Sequence, residues 1–279
     1  MGGIAIVPVP IGRLLPPTTG VDAAERAGAF WVAATLDRLW ALALGNRPRV
    51  NLDALEVHAP WLRRPEYYEQ TGEESFPPAI HSLRELLRGT ASTATYRMDV
   101  GNSVEVIATA AYLYEKSVVL SRGTSEADAS MSLNALVTRA DFLAAAFAQH
   151  LGAASDTLML AAFVLVCGVS IKLGSRSGDV RAINASRALV SAAPTFRTAP
   201  SGPGFLEVAI GMIIPEACLT LASVAGRSMS CTLVGGIGPE VGRSGWQTLR
   251  GVLEYWAMRS AYVRSRLERM QQELVVLGL

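Results

Sequence analysis

The chain reads as all-α, an irregular multi-helix bundle. Three features support this. Apolar residues recur at three- and four-residue intervals along most of its length. No succession of short runs alternates apolar and polar residues with the two-residue period of strands. One stretch, Glu25 to Pro48, is so apolar that a helix there calls for burial on all sides, so the bundle is expected to form around a buried central helix over about residues 23–44. Its 279 residues, 50% of them hydrophobic and 18% charged, can bury a large core. A net charge of +1 excludes a broad nucleic-acid surface.

Residues 1–20 are broken by prolines and read as an irregular N-terminal arm. They lack the basic start of a signal peptide. Asp22 and Glu25 have capping-box spacing, which starts the first helix just after Asp22. Phe30, Ala33, Ala34, Asp37, Ala41 and Leu44 share one face, and Trp31, Leu36, Leu39, Trp40 and Leu42 cover most of the rest. Asp37 and Arg38 sit in the middle of this apolar rod. Buried charges persist when paired, so the two read as an internal salt-bridge or capping pair that fixes packing, with an effector-sensing pocket as the functional alternative. Gly45 falls just past the helix end, and Pro48 blocks continuation.

Arg49 to Thr71 is loop-like, with Val50, Leu52, Val57 and Trp61 as anchors. Pro77-Pro78 opens a short helix to about Arg88, and residues 89–101 read as loop. Val104, Ile107, Ala108, Ala111 and Val118 mark a helix from Val104 to Leu120. Leu133, Leu136, Val137, Ala140, Leu143, Ala144 and Phe147 form the stripe of a helix from Ala127 to Leu151. Ser155 or Asp156 caps a buried helix that runs to Leu173. A helix from Asp179 is stopped at Ala193 by Pro194, and one from Phe205 to Ser228 is kinked at Pro215. Glycine-rich Ser230 to Gly245 reads as loop. Trp246 to Leu277 then forms one long helix. Leu249, Leu253, Trp256, Val263, Leu267, Met270, Leu274 and Leu277 follow a coiled-coil seam with Ser260 as its gap, and Arg250, Arg259, Arg264, Arg266 and Arg269 lie on the outer face. The seam packs on the chain's own core or forms a homodimer through residues 246–277.

The ordered segments Ala29-Phe30-Trp31, Leu36-Asp37-Arg38 and Leu44-Gly45 with Pro48 resemble the middle, regulatory domain of fungal transcription factors of the zinc binuclear cluster family, basidiomycete type. Glu25 and Arg26 fill the start of the same pattern. Leu15-Pro16-Pro17, Ala59-Pro60-Trp61 and the helix Leu158 to Gly174 are similar to its flanks and its long buried helix. The resemblance implies a single helical regulatory domain over 21–279, with residues 1–20 the remnant of a truncated domain. Phe30, Trp31, Asp37, Arg38, Gly45 and Pro48 would be structural motif residues. It implies regulation of RNA polymerase II transcription in the nucleus, with co-regulators or a small effector as partners. DNA would be reached only through a zinc-cluster module of the full-length relatives, so no zinc or other cofactor is expected in this chain.

The residues themselves carry little chemistry. A zinc cluster needs six closely spaced cysteines, and Cys167, Cys218 and Cys231 stand far apart, which fits buried free thiols. His58, His81 and His150 make no metal-binding pair. There is no GxSxG elbow and no Walker motif. Gly235 to Gly242 misses dinucleotide-loop spacing and reads as a flexible connector. A helical enzyme acting on a hydrophobic substrate, such as a terpene cyclase, needs acidic clusters absent from this sequence. A small helical membrane protein is the other alternative. Against it, the apolar run Leu158 to Ile171 falls short of the roughly 18–20 residues of a span. Phe205 to Gly226 is interrupted by Glu207, Pro215 and Glu216, so both helices read as buried within a globule and no membrane partner is expected.

Overall fold

The computed structural model describes residues 19–50, 102–122, 133–150, 156–174, 180–199, 204–226, 239–276 and 278. The N-terminal arm, the helix at 77–88, the loops around it, the start of the Ala127 helix and residues 230–238 lie outside these. Among the described residues there are eight helices and no strand, so the chain is all-α. They are α1 (Gly20–Ala43), α2 (Ser103–Arg122), α3 (Leu133–His150), α4 (Thr157–Gly174), α5 (Val180–Thr198), α6 (Phe205–Gly226), α7 (Pro239–Ala257) and α8 (Ala261–Val276).

The two most apolar helices, α4 and α6, pack against each other and form the centre. Helices α2, α3 and α5 surround α4, and α1, α5, α7 and α8 surround α6. This corrects the expectation of a central α1. Helix α1 packs on α2 and α6 and buries Ala27, Trp31, Ala34, Leu39 and Ala41, but Ala29, Ala33 and Leu44 face outward. The physical reason is side-chain size. Alanines carry little apolar area, so a helix rich in them can expose a face at small cost. Val164, Leu165, Val166, Ile213 and Ile214 cannot, and they are fully buried.

The helix ends follow local rules, with corrections. Helix α1 starts one turn earlier than the Asp22–Glu25 pair suggests. Thr19 is its N-cap, its Oγ1 accepting from the Asp22 amide at 3.1 Å, and Asp22 pairs with Arg26 one turn on. At the other end Gly45 has φ +74°. The Asn46 amide donates to the Ala41 carbonyl at 2.7 Å and the Gly45 amide to Leu42 at 3.2 Å, a Schellman closure. Asp156 caps α4 by accepting from the Leu158 amide at 2.9 Å.

Three expectations for the later helices fail. Helix α5 continues through Pro194 to Thr198. Phe196 is buried beyond the proline, and its carbonyl accepts from the Trp256 indole N–H at 3.0 Å, so tertiary contacts hold the last turn. The glycine-rich segment is not all loop, because Pro239 opens α7. A Cβ at Gly242 would lie 2.8 Å from the Leu221 carbonyl oxygen of α6, so this glycine permits close helix contact. The long C-terminal helix is two helices, broken at the Ser260 gap. The Ser260 hydroxyl caps α8 by accepting from the Val263 amide at 3.1 Å, and it donates to Glu207 of α6. Leu249, Leu253, Trp256, Val263, Leu267, Met270 and Leu274 are all buried in the chain's own core, so the seam is occupied intramolecularly over these residues; Leu277, its last position, lies outside the described residues.

Candidate functional site

Asp37 and Arg38 do not pair with each other. Neighbours on a helix point about 100° apart, and each finds a different partner. Arg38, only 4% exposed, forms an ion pair with Glu115 of α2. Its guanidinium lies 5.5 Å from the centre of the Tyr112 ring, and the Lys116 ammonium lies 5.2 Å from the same ring. Asp37 is half-buried and accepts from the Val50 amide at 2.9 Å, tying the chain after the helix stop back onto α1. Phe30 and Trp31 meet edge to face at 5.5 Å, with Trp31 buried. Pro48 is half-buried. Phe30, Trp31, Asp37, Arg38, Gly45 and Pro48 therefore act in packing and helix ending, and they do not converge on one site.

A pocket of about 250 Å³ does form where α1 stops. Leu42 to Gly45 make one rim. The walls come from the C-terminal ends of α2 and α4, the middle of α6, and α8. Four cations line it: Arg122, Lys172, Arg266 and Arg269. Glu216 is the carboxylate among them, and its Oε1 accepts from the Lys172 ammonium at 2.6 Å. Val118 and Met212 supply apolar wall, and the Tyr114 phenol lines the interior.

The position of Arg266 follows from a rule broken in α6. Pro215 has no backbone N–H, so the Gly211 carbonyl one turn earlier loses its helical partner. The Arg266 Nε donates to that carbonyl at 3.1 Å. Gly211 also lets the Tyr262 ring lie on the helix backbone, since a Cβ there would sit 2.4 Å from a ring carbon. Tyr262 and Arg266, one turn apart on α8, thus grip α6 at the same residue. The Tyr262 ring in turn meets Trp40 of α1 edge to face at 5.5 Å.

Burial, then the nearby Glu216 carboxylate, raises the Tyr114 hydroxyl well above its ordinary range, so it remains a neutral phenol. Burial pushes Tyr262 up to about 12. Burial also raises the Cys167 thiol to about 12 and moves Cys218 in the same direction, so neither thiol is a nucleophile at neutral pH. No group of three or more His, Cys, Asp or Glu side chains comes together among the described residues. His58, His81, Trp61 and Cys231 lie outside them.

The pocket residues other than Gly45 were not singled out as a site from sequence. One signal was present. Lys172 and Glu216 are charges of opposite sign in two helices that are otherwise almost wholly apolar. Arg266 and Arg264, read as outer-face residues, both turn to backbone carbonyls, Arg264 capping the end of α7 at the Ala257 oxygen.

Helices α4 and α6 are long and apolar enough to cross a membrane, so the shortfall read for Leu158 to Ile171 does not hold for the 18 residues of α4; most of each apolar window is buried against the chain itself. No protein-family model, no curated protein and no solved structure matches the chain.

Proposed function

We propose that the chain is the regulatory domain of a fungal RNA polymerase II transcription factor. It acts in the nucleus, catalyses nothing, and responds to a small effector bound where α1 ends. The observation that carries this reading is the cation-lined pocket at the Leu42–Gly45 stop, because five helices meet there and a ligand touching all of them can shift their packing. The family resemblance of Phe30, Trp31, Asp37, Arg38, Gly45 and Pro48 supplies the transcriptional part, and it rests on those residues themselves. DNA contact and zinc belong, in this reading, to a six-cysteine module, for which the three cysteines here are too few. Co-regulators are the expected protein partners.

The test is a fusion of the full chain to a heterologous DNA-binding domain with a reporter gene. The fusion should drive or repress the reporter relative to the DNA-binding domain alone. A folded, nuclear fusion with no effect on the reporter refutes the reading. The chain by itself should give no sequence-selective shift of DNA. Retention in membranes through a carbonate wash would instead favour α4 and α6 as spans.

A further inference from the structure

The pocket is charged beyond what its architecture requires. Helices α1, α2 and α4 all direct their C-terminal ends toward it, and each end carries the equivalent of roughly half a negative charge. Cations at such ends are ordinary compensation. Together the three ends supply roughly one and a half negative charges, and Glu216 supplies one more. Against these stand four full positive charges, Arg122, Lys172, Arg266 and Arg269. A surplus of more than one positive charge remains, and it is carried by Arg122 and Arg269, the two exposed cations of the lining.

The donors are also held in different ways. Lys172 is tied to Glu216, and the Nε of Arg266 is used by the Gly211 carbonyl. That bond fixes a guanidinium whose two Nη groups are its remaining donors. Arg122 and Arg269 are exposed at the mouth. A planar fork held in place is the geometry that binds carboxylate or phosphate oxygens in pairs. Tyr114 adds a phenol that stays neutral, so at neutral pH its O–H is available only as a hydrogen-bonding group and carries no charge. A volume of about 250 Å³ is far larger than the roughly 30 Å³ share of one water, yet too small for a polymer.

We propose that this pocket binds a small dianion, a phosphate monoester or a dicarboxylate, held between Arg266 inside and Arg122 and Arg269 at the mouth. This names the ligand class for the effector site and rests on that reading of the pocket. Binding draws the ends of α1 and α2 against α8, because Leu42 to Gly45, Arg122 and Arg269 line the same opening. A ligand that binds only the folded chain stabilises the native state, by an amount that rises with the logarithm of its concentration above Kd.

The experiment uses the full chain with inorganic phosphate and succinate as probes, each against sodium chloride at matched ionic strength. Calorimetry should show saturable binding of at least one dianion, with a matching rise in Tm. Preference for phosphate assigns a phosphoryl ligand, and preference for succinate a dicarboxylate. Arg122→Gln and Arg269→Gln, both exposed and so expected to fold, should each weaken Kd about tenfold, with partial return in the lysine variants. Absence of saturable binding by both probes, or unchanged affinity in the R122Q/R269Q double variant, overturns the proposal. Dianion binding with a silent reporter fusion leaves the ligand class standing and removes the transcriptional reading. A responsive reporter without dianion binding does the reverse.

Discussion

Removing the Arg266 guanidinium should destabilise the protein only because Pro215 is where it is. Arg266→Met keeps most of the side-chain stem but takes away the donor to the Gly211 carbonyl. Gly211 lies in the buried stretch of α6, and Pro215 cannot replace the lost bond. An unsatisfied buried acceptor costs about 1–3 kcal/mol. Arg266 is itself half-buried, so its own charge adds little to that figure. In a Pro215→Ala background the restored amide at position 215 can bond the Gly211 carbonyl in the ordinary helical way. There the same Arg266→Met change should cost less than about 0.5 kcal/mol, leaving a coupling of about 1–2 kcal/mol between two residues on different helices. Urea unfolding followed by far-UV circular dichroism measures all four proteins, provided the m-values agree. Equal cost in both backgrounds, or no cost in the native one, refutes the assignment of Arg266 as the partner that Pro215 makes necessary.

The Arg38–Glu115 pair should respond asymmetrically. Glu115→Gln strands a cation that is 4% exposed and should cost about 3–5 kcal/mol, while Arg38→Met leaves a carboxylate 15% exposed that reaches water, and should cost less. Equal losses on denaturation would contradict this ordering. Asp37→Ala removes one charged acceptor from the Val50 amide and should cost about 1–2 kcal/mol; a loss above about 3 would mean a buried partner other than Val50. Gly242→Ala places a methyl against the Leu221 backbone, which cannot rotate away. It should lower stability by about 1–3 kcal/mol despite the roughly 1 kcal/mol that alanine gains in a helix; a more stable variant would show that α7 and α6 can separate freely. Alkaline stability follows from Cys167 and Tyr262, both raised to about 12 by burial. Below pH 9 these groups are protonated in native and unfolded chains alike. Above it the unfolded chain releases protons that the native chain keeps, so their stabilisation is lost progressively between about pH 9 and 12. Stability that is flat across this range in a pH series would place these groups in water.

What could be read in the sequence was local. The Leu44-Gly45 ending of α1, the cap at Asp156 and the buried positions of α3 and of the C-terminal seam are set by residues within a turn or two of each other; the face read for α1 is the exception, with Ala33 and Leu44 exposed. The failures are tertiary. A proline at position 194 does not end α5, because Trp256, distant in the chain, holds the turn beyond it. The glycine run reads as loop because nothing near Gly242 in the sequence indicates a facing helix at contact distance. Asp37 and Arg38 looked like a pair because only their adjacency was visible; their partners lie across α2 and beyond the helix stop. The pocket was not legible. Lys172 is the one charge in α4, and α6 carries only Glu207 and Glu216, but nothing in the sequence brings these charges together with Arg122 and Arg269.

Stability and binding separate along this one pocket. Lys172 and Arg266 hold helices together, the first across α4 to α6 and the second from α8 to α6, so removing either charge disturbs the fold as well as any ligand. Arg122 and Arg269 are exposed, and exposed charges contribute little to stability. If the four cations existed only to neutralise helix ends, changing the outer two would slightly alter denaturation and do nothing else. If the pocket is a site, the outer pair should leave the denaturation midpoint in place and alter only the response to a dianion. Arg266→Met, Arg122→Gln and Arg269→Gln, scored by both assays, therefore distinguish a structural knot from a receptor.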